Sequence, residues 1–378
     1  MFGKRITLFK LFGFSVHVDL SWLVIAALIT WSLAQGLFPS EYEGLPAAAY
    51  WIMGAAGAVG LFFSIVFHEL FHSLAARRFG IPMTGITLFI FGGVAEMDDE
   101  PPNPKAEFFM AIAGPLSSIV LGVMFYALFI IAELQEWPLI AAGVLGYLGV
   151  INWILAAFNL LPAFPLDGGR VLRSALWQWK NNLRWATRIS SQIGSGFGIG
   201  IIILGLVSLA RGNVVGGIWW FLIGMFLRNA SQSSYQQVVV RKALQGEKVL
   251  RLMRRNPVTA PPSISLAEFV DQYVYAYHHK MFPVEEGGRL AGCITTRQIK
   301  DVPREEWGRR TVGEIARSCS LGNTVAPDLD VIKALAIMNR TGNSRLMVVE
   351  NGRLAGIISL KDIMGFLSMK MDLESEEW

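Results

Sequence analysis

Charge is scarce in this chain: Asp, Glu, Lys and Arg make up 16% of its 378 residues, against about 25% in an average soluble protein. Cysteine is scarcer still, with only Cys293 and Cys319, too few for a disulfide framework or a cysteine-rich zinc site. Hydrophobic residues fill 53% of the sequence and the mean hydropathy is +0.44, a balance that excludes disorder, collagen and coiled coil. The pI is near 9.1, yet a net charge of +4 over this length does not describe a protein held to nucleic acid by electrostatics. What remains is a membrane protein, with room for two or three domains of roughly 150 residues.

The apolar residues gather in uncharged runs at 20–40, 47–67, 108–132, 137–166 and 189–210, with a shorter one at 212–227. A spanning helix needs about 20 apolar residues, so the sequence predicts about six transmembrane helices, the sixth marginal. Lys4, Arg5 and Lys10 stand among alternating apolar residues with no small-residue cleavage site after them, which argues against a signal peptide. With the N-terminus in the cytoplasm, six passes put Lys4, Arg5, Lys10, Arg77, Arg78, Lys105, Arg170, Arg173, Lys180, Arg184, Arg188 and Arg228 on the cytoplasmic side. Arg211 alone falls on the other, the asymmetry expected of loops sorted by positive charge. The expectation is a multi-pass integral membrane protein, of the cell membrane in a prokaryote, with its N-terminus and C-terminal region in the cytoplasm. That reducing side suits two unpaired cysteines.

One apolar stretch is too broken to span. Between residues 81 and 95, Pro82, Gly85, Gly92 and Gly93 interrupt a run in which Thr84, Ile86, Thr87, Ile90 and Val94 favour strand. Non-helical backbone at membrane depth survives only against protein or a wet cavity, so a re-entrant β-hairpin beside the second span is predicted. After about residue 240 charges become frequent and a repeat appears. Arg289-Leu290-Ala291-Gly292 recurs 64 residues later as Arg353-Leu354-Ala355-Gly356, each copy between two strand-like runs, and Ala260-Pro261 recurs as Ala326-Pro327. This reads as a tandem soluble α+β module. The expected division is a membrane domain at 1–235, a linker at 236–250, repeats at 251–310 and 311–368, and a tail at 369–378.

The chemistry sits in the second run, at His68-Glu69-Leu70-Phe71-His72. Positions i and i+4 share a helix face, so both imidazoles can meet one metal, and the glutamate beside the first reaches a water at its open position. With five His and 29 acidic residues, such a pattern arises by chance about 0.005 times. A charged residue at the centre of a spanning helix costs about 2.5–3.5 kcal/mol, and such residues are functional by default. Two histidines leave a zinc site one protein ligand short. His17, His278 and His279 lie outside the spans, which turns attention to a carboxylate. Asp167 ends the fourth run, where two prolines and two glycines let the backbone turn sharply; an N-cap for the next helix is its other reading. Asp98, Asp99 and Glu100 cluster as well, in a proline-rich loop that reads as a solvated turn.

His68-Glu69-x-x-His72, with Asn159-x-x-Pro162-x-x-Pro165-x-Asp167-Gly168 near the end of a later span, resembles the site-2 proteases, which are intramembrane zinc metalloproteases. Gly92-Gly93-Val94-Ala95 and Ala113-Gly114-Pro115 resemble that family too, over roughly residues 1–235. The repeat, at about 245–368, is similar to a pair of CBS domains, the architecture of the subgroup that includes a sporulation factor-processing protease. The resemblance implies one zinc ion per subunit held by His68, His72 and Asp167, with Glu69 as the catalytic acid/base. Asn159 is expected either to bond the substrate backbone or oxyanion, or to cap the broken helix. A helical substrate must be extended before cleavage, and a strand edge made by Ile86, Thr87, Leu88, Phe89, Gly92, Gly93, Val94 and Ala95 is expected to hold it.

CBS pairs often bind adenine nucleotides through a Ser/Thr-x-x-Asp stretch. Ser359 and Asp362 fit that pattern, whereas Thr295 is followed by Gln298 in place of the carboxylate; a pair that only dimerises or docks is the other reading. The implied partners are a transmembrane protein substrate, the lipid bilayer and a second copy through the CBS domains, with no nucleic acid. A nucleotide-gated transporter or channel, or an inactive scaffold that binds membrane helices, would also explain the spans. Neither explains the metal motif, and transporters often show repeated halves, which the six runs lack.

Overall fold

The structure is a computed structural model that describes residues 5–81, 83–89, 92–97, 101–318, 320 and 322–373. Lys4, Pro82, Ile90, Asp98, Asp99, Glu100, Cys319 and the end of the tail lie outside the described residues. The chain divides into two compact units, Met1–Gln236 and Gln237–Trp378.

The first unit opens with a hairpin of β1 (Arg5–Leu11) and β2 (Phe14–Asp19). α1 (Ser21–Ser32) continues through a wider turn, Leu33–Leu37, into α2 (Phe38–Glu41), and α3 (Ala47–Arg78) follows. β3 (Met83–Phe89) and β4 (Gly92–Met97) form a second hairpin. Then come α4 (Pro104–Leu134), α5 (Leu139–Asn159), α6 (Asp167–Lys180), α7 (Leu183–Ala210) and α8 (Val214–Leu244). Among the described residues six helical segments are long and apolar enough to cross a membrane: Ser21–Glu41, α3, α4, α5, α7 and α8. Leu23, Val59, Val120 and Leu204 stand more than half exposed on them, as bilayer-facing side chains do.

Local rules set the ends. Pro104 occupies the first turn of α4, where the Asn103 side chain accepts from the Ala106 amide at 2.9 Å. α3 closes on Arg77 and Arg78, cations beside its negative dipole end, and the chain then turns through Gly80 at φ +73°. The 137–166 run is one element shorter than its hydropathy suggests. α5 stops at Asn159, residues 160–166 form tight turns, and Asp167 opens amphipathic α6. The Asn182 side-chain oxygen, which accepts from the Trp185 amide, and the left-handed Asn181 separate α6 from α7.

The predicted hairpin forms, but it is half of a sheet ordered β1-β2-β3-β4. β2 pairs parallel with β3, Val16 opposite Ile86 and Val18 opposite Leu88, and β3 pairs antiparallel with β4. Phe14, Val16 and Val18 turn inward against Ile86, Leu88 and the α3 residues Val66 and Leu70, so the sheet packs on the helix that carries the histidines. Arg173, counted above among the loop cations, is instead buried and paired with Glu107 of α4.

In the second unit β5 (Arg254–Arg255), β6 (Met281–Glu286), β7 (Arg289–Thr295), β8 (Arg317–Ser318), β9 (Thr324–Val325), β10 (Arg345–Glu350) and β11 (Arg353–Ser359) form two sheets, ordered β6-β7-β8 and β5-β11-β10-β9. The sequence repeat is a structural one: both hairpins slip register at equivalent places, between Val284 and Glu285 and between Val348 and Val349. Each sheet closes its own apolar core, one around Phe269, Phe282 and Ile294, the other around Leu346, Val348 and Ile358. The stretch read as a linker at 236–250 is helical through Leu244, and Leu244 and Val249 belong to the second of those cores.

Candidate metal centre

His68 and His72 lie one turn apart on α3, about 15 Å and about 9 Å along the axis from its Arg78 end at 1.5 Å per residue. Both are buried, at 3% and 7% exposure. Asp167, on the first turn of α6, brings Oδ2 to 3.0 Å from His68 Nε2 and 3.1 Å from His72 Nε2, and the two Nε2 atoms are 3.1 Å apart. The outer nitrogens are engaged by α4. His72 Nδ1 lies 2.6 Å from the Met110 carbonyl, and His68 Nδ1 lies 2.9 Å from the Ser118 hydroxyl. A carbonyl only accepts, so His72 Nδ1 carries a hydrogen and donates it.

These atoms fit a metal ion by their spacing. A proton bridges two of the three inner atoms, whereas a single ion meets all of them. Tetrahedral bonds of about 2.0–2.1 Å set donors about 3.3 Å apart, close to the separations present. Glycine keeps the space open: a Cβ at Gly114 would stand 2.1 Å from His72 Nε2 and 2.6 Å from His68 Nε2. Among the described residues, this is the one group of three His, Cys, Asp or Glu side chains with donor atoms close enough to share an ion.

Asp167 reaches the histidines because the chain before it folds back tightly. A Cβ at Gly168 would come within 2.2 Å of the Leu160 carbonyl oxygen, and one at Gly169 within 2.3 Å of the Phe164 nitrogen. The two glycines of the Asp-Gly-Gly run thus permit the close return. The Phe164 carbonyl accepts from Ser231 of α8, which anchors the turn from behind.

Glu69, between the histidines in sequence, is partly exposed and faces β4, where a Cβ at Gly93 would stand 2.7 Å from its Cγ. The acid/base candidate therefore sits against the strand at the sheet's edge, next in sequence to His68. Of the proposed strand residues, Ile86, Thr87, Leu88 and Phe89 belong to β3, which has β2 on one side and β4 on the other. Ile86, Thr87 and Leu88, with partners on both sides, cannot receive a third strand, and Phe89, paired with Gly92 alone, ends β3 at the hairpin turn. That correction leaves Gly92, Gly93, Val94 and Ala95 of β4. The Asn159 amide donates to Leu155 within its own helix at 3.0 Å, and Asn159 is not brought into the metal group. Sequence reasoning missed Ser118 and Met110 and noted Gly114 only within a family-like stretch; their spacing of four on an apolar helix is a signal legible only once α4 is known to face α3.

A second cavity, of about 480 Å³, lies within the second unit and is lined by Arg254, Arg255, His279, Arg345, Ser359 and Asp362 among others. Asp362 accepts from the Ser359 backbone amide and hydroxyl and is paired with Arg254 at 2.8 Å. In the first repeat Gln298 takes the carboxylate's place, accepting from the Thr295 amide and donating to the Ile315 carbonyl. Thr295 is a helix cap there and does not line the cavity.

Residues 56–137 and 130–203 match Peptidase family M50, and residues 249–305 and 312–369 match the CBS domain. The Rip3 protein of Mycobacterium tuberculosis is 36% identical over 360 residues, covering 95% of this chain and 91% of the relative. The zinc metalloprotease MJ0392 of Methanocaldococcus jannaschii is 31% identical over 373 residues, 98% of each chain. Among solved structures, the site-2 protease from Methanocaldococcus jannaschii aligns with a TM-score of 0.43 and 29% identity over 61% of this chain and 94% of that one. Identity of 31–36% over nearly the full length of Rip3 and MJ0392 removes the transporter and scaffold readings: the chain is an integral membrane protein that belongs to peptidase family M50, the site-2 protease family of zinc metalloproteases, and it carries a CBS pair.

Proposed function

We propose that this protease hydrolyses peptide bonds in or beside the transmembrane segments of other membrane proteins, using His68, His72 and Asp167 to hold one zinc ion and Glu69 to move the proton. The convergence of two buried imidazoles and one carboxylate oxygen within 3.1 Å carries the reading. A zinc ion held there by His68, His72 and Asp167 would supply Lewis acidity to the scissile carbonyl and lower the pKa of a water toward about 7. Glu69 takes the proton from the attacking water as its oxygen joins the carbonyl carbon, then delivers it to the nitrogen as the C–N bond breaks. The open edge of β4 holds the substrate extended beside Glu69, which frees its carbonyls from helical bonding; Gly93 lets strand and carboxylate approach. Asn159 serves the end of α5 rather than the substrate, in keeping with its bond to Leu155.

The N-terminus and the CBS pair face the cytoplasm, since Arg77, Arg78, Lys105, Arg170 and Lys180 then share that side. The CBS pair binds one adenine nucleotide at the Asp362 cavity, associates with its counterpart in a second copy, and regulates cleavage. The deciding experiment compares membrane-protein fragments in cells carrying wild type or Glu69→Gln, with zinc measured on both purified proteins. Fragments lost in the variant with zinc retained support the reading; unchanged fragments refute it.

A further inference from the structure

α3 supplies two of the candidate ligands, and α6 supplies the third 95 residues after His72. Both elements are referred to α4. Met110, Gly114 and Ser118 follow one another at intervals of four, a single stripe along that helix. The first bonds His72 Nδ1, the second clears both Nε2 atoms, and the third bonds His68 Nδ1. Glu107, three residues before Met110, continues the stripe toward α6. Arg173 of α6 donates from Nε to Glu107 Oε1 at 2.5 Å, and its Nη2 meets the same oxygen. The pair is buried, Glu107 at 1% and Arg173 at 2% exposure, and the guanidinium lies 5.0 Å above the ring of Phe164 in the turn that leads into Asp167.

We infer that Glu107, Arg173 and Ser118 are positioning residues: Glu107 and Arg173 register the start of α6 against α4 and so place the Asp167 carboxylate, while Ser118 fixes the His68 ring. A buried ion pair is often no more stabilising than apolar side chains of the same volume, so stability alone gives little reason for one here. A planar guanidinium fork is directional, however, and a metal site demands donor distances within about 0.2 Å. These positioning roles rest on His68, His72 and Asp167 being the zinc ligands.

The test uses the full-length protein in detergent, stripped of metal. Zinc affinity is read by competition with a chromophoric chelator, and ligand geometry by the visible absorption of the cobalt(II)-loaded protein. In Ser118→Ala, and in the double variant Glu107→Leu with Arg173→Met, zinc affinity is expected to fall about ten- to a hundredfold with a changed cobalt spectrum, as for other partners of metal ligands. Helix content without metal should stay that of wild type. Should the double variant not fold, Arg173→Lys keeps the charge but not the fork and is expected to weaken zinc in the same direction, with Ser118→Thr restoring what Ser118→Ala loses. Wild-type affinity and spectrum in the folded variants would overturn the positioning role. Wild-type protein that takes up neither zinc nor cobalt would overturn the metal reading itself.

Discussion

A methyl group at position 114 would stand 2.1 Å from Nε2 of His72 and 2.6 Å from that of His68. Gly→Ala inside a helix ordinarily gains up to about 1 kcal/mol, so the backbone of α4 has no reason of its own to resist the change. Gly114→Ala is therefore expected to leave the metal-free protein folded while zinc stoichiometry, measured by atomic emission, drops well below one per chain and proteolysis is lost. Position 93 separates the other function. A Cβ there would meet Glu69 Cγ at 2.7 Å and Ile65 Cγ2 at 3.1 Å. The flexible carboxylate would swing aside while the histidines stay, so Gly93→Ala should keep its zinc and lower kcat about ten- to a hundredfold, the cost of a small misplacement of a reacting group. Loss of zinc at 93, or its full retention at 114, would count against the division of labour drawn between these two glycines.

Among the elements, β4 is the one whose role is open to a direct probe. Along an antiparallel strand alternate backbone groups point to the paired neighbour and to the open side. Proline removes one N–H at a time, and scanning it through 92–97 should depress cleavage with a period of two among variants that keep their zinc. Equal cleavage in every variant would refute strand addition. The partner hairpin explains what the sequence kept hidden. Phe14, Val16 and Val18 alternate inward as plainly as any strand, yet β2 finds its partner β3 some 70 residues on, and parallel pairing leaves no local mark. Arg173 misled for a related reason: counting loop charges cannot tell a solvated arginine from one paired to Glu107. By contrast His68, Glu69 and His72 stood out because helical spacing is local, and Asp167 because two prolines and two glycines broke the fourth apolar run around a carboxylate.

Over the whole molecule, the two CBS repeats share a fold but not the residues of the candidate nucleotide site. In the first, Gln298 spends its oxygen on Thr295 and its nitrogen on the Ile315 carbonyl, which completes a capping box and leaves no charge for a ligand. In the second, Asp362 faces a cavity of about 480 Å³ with Arg254, Arg255, Arg345 and Lys361 on its walls, an excess of positive charge suited to phosphate. Sequence alone marked this asymmetry at Gln298, but the cavity's cations come from separate segments of the chain. Calorimetric titration of the full-length protein in detergent with ATP, ADP and AMP is thus expected to give one site per chain rather than two. Asp362→Ala should abolish the heat, and Thr295→Ala should leave it unchanged because Thr295, the cross-strand partner of Met281, caps a helix and is not itself on the cavity wall. Raising salt should weaken binding in proportion to the number of phosphates, since exposed arginines attract them through a screened field. Two equal sites, or binding untouched by Asp362→Ala, would place the nucleotide elsewhere; silence with all three ligands would leave the pair to association between copies, which sedimentation of the same samples reads directly.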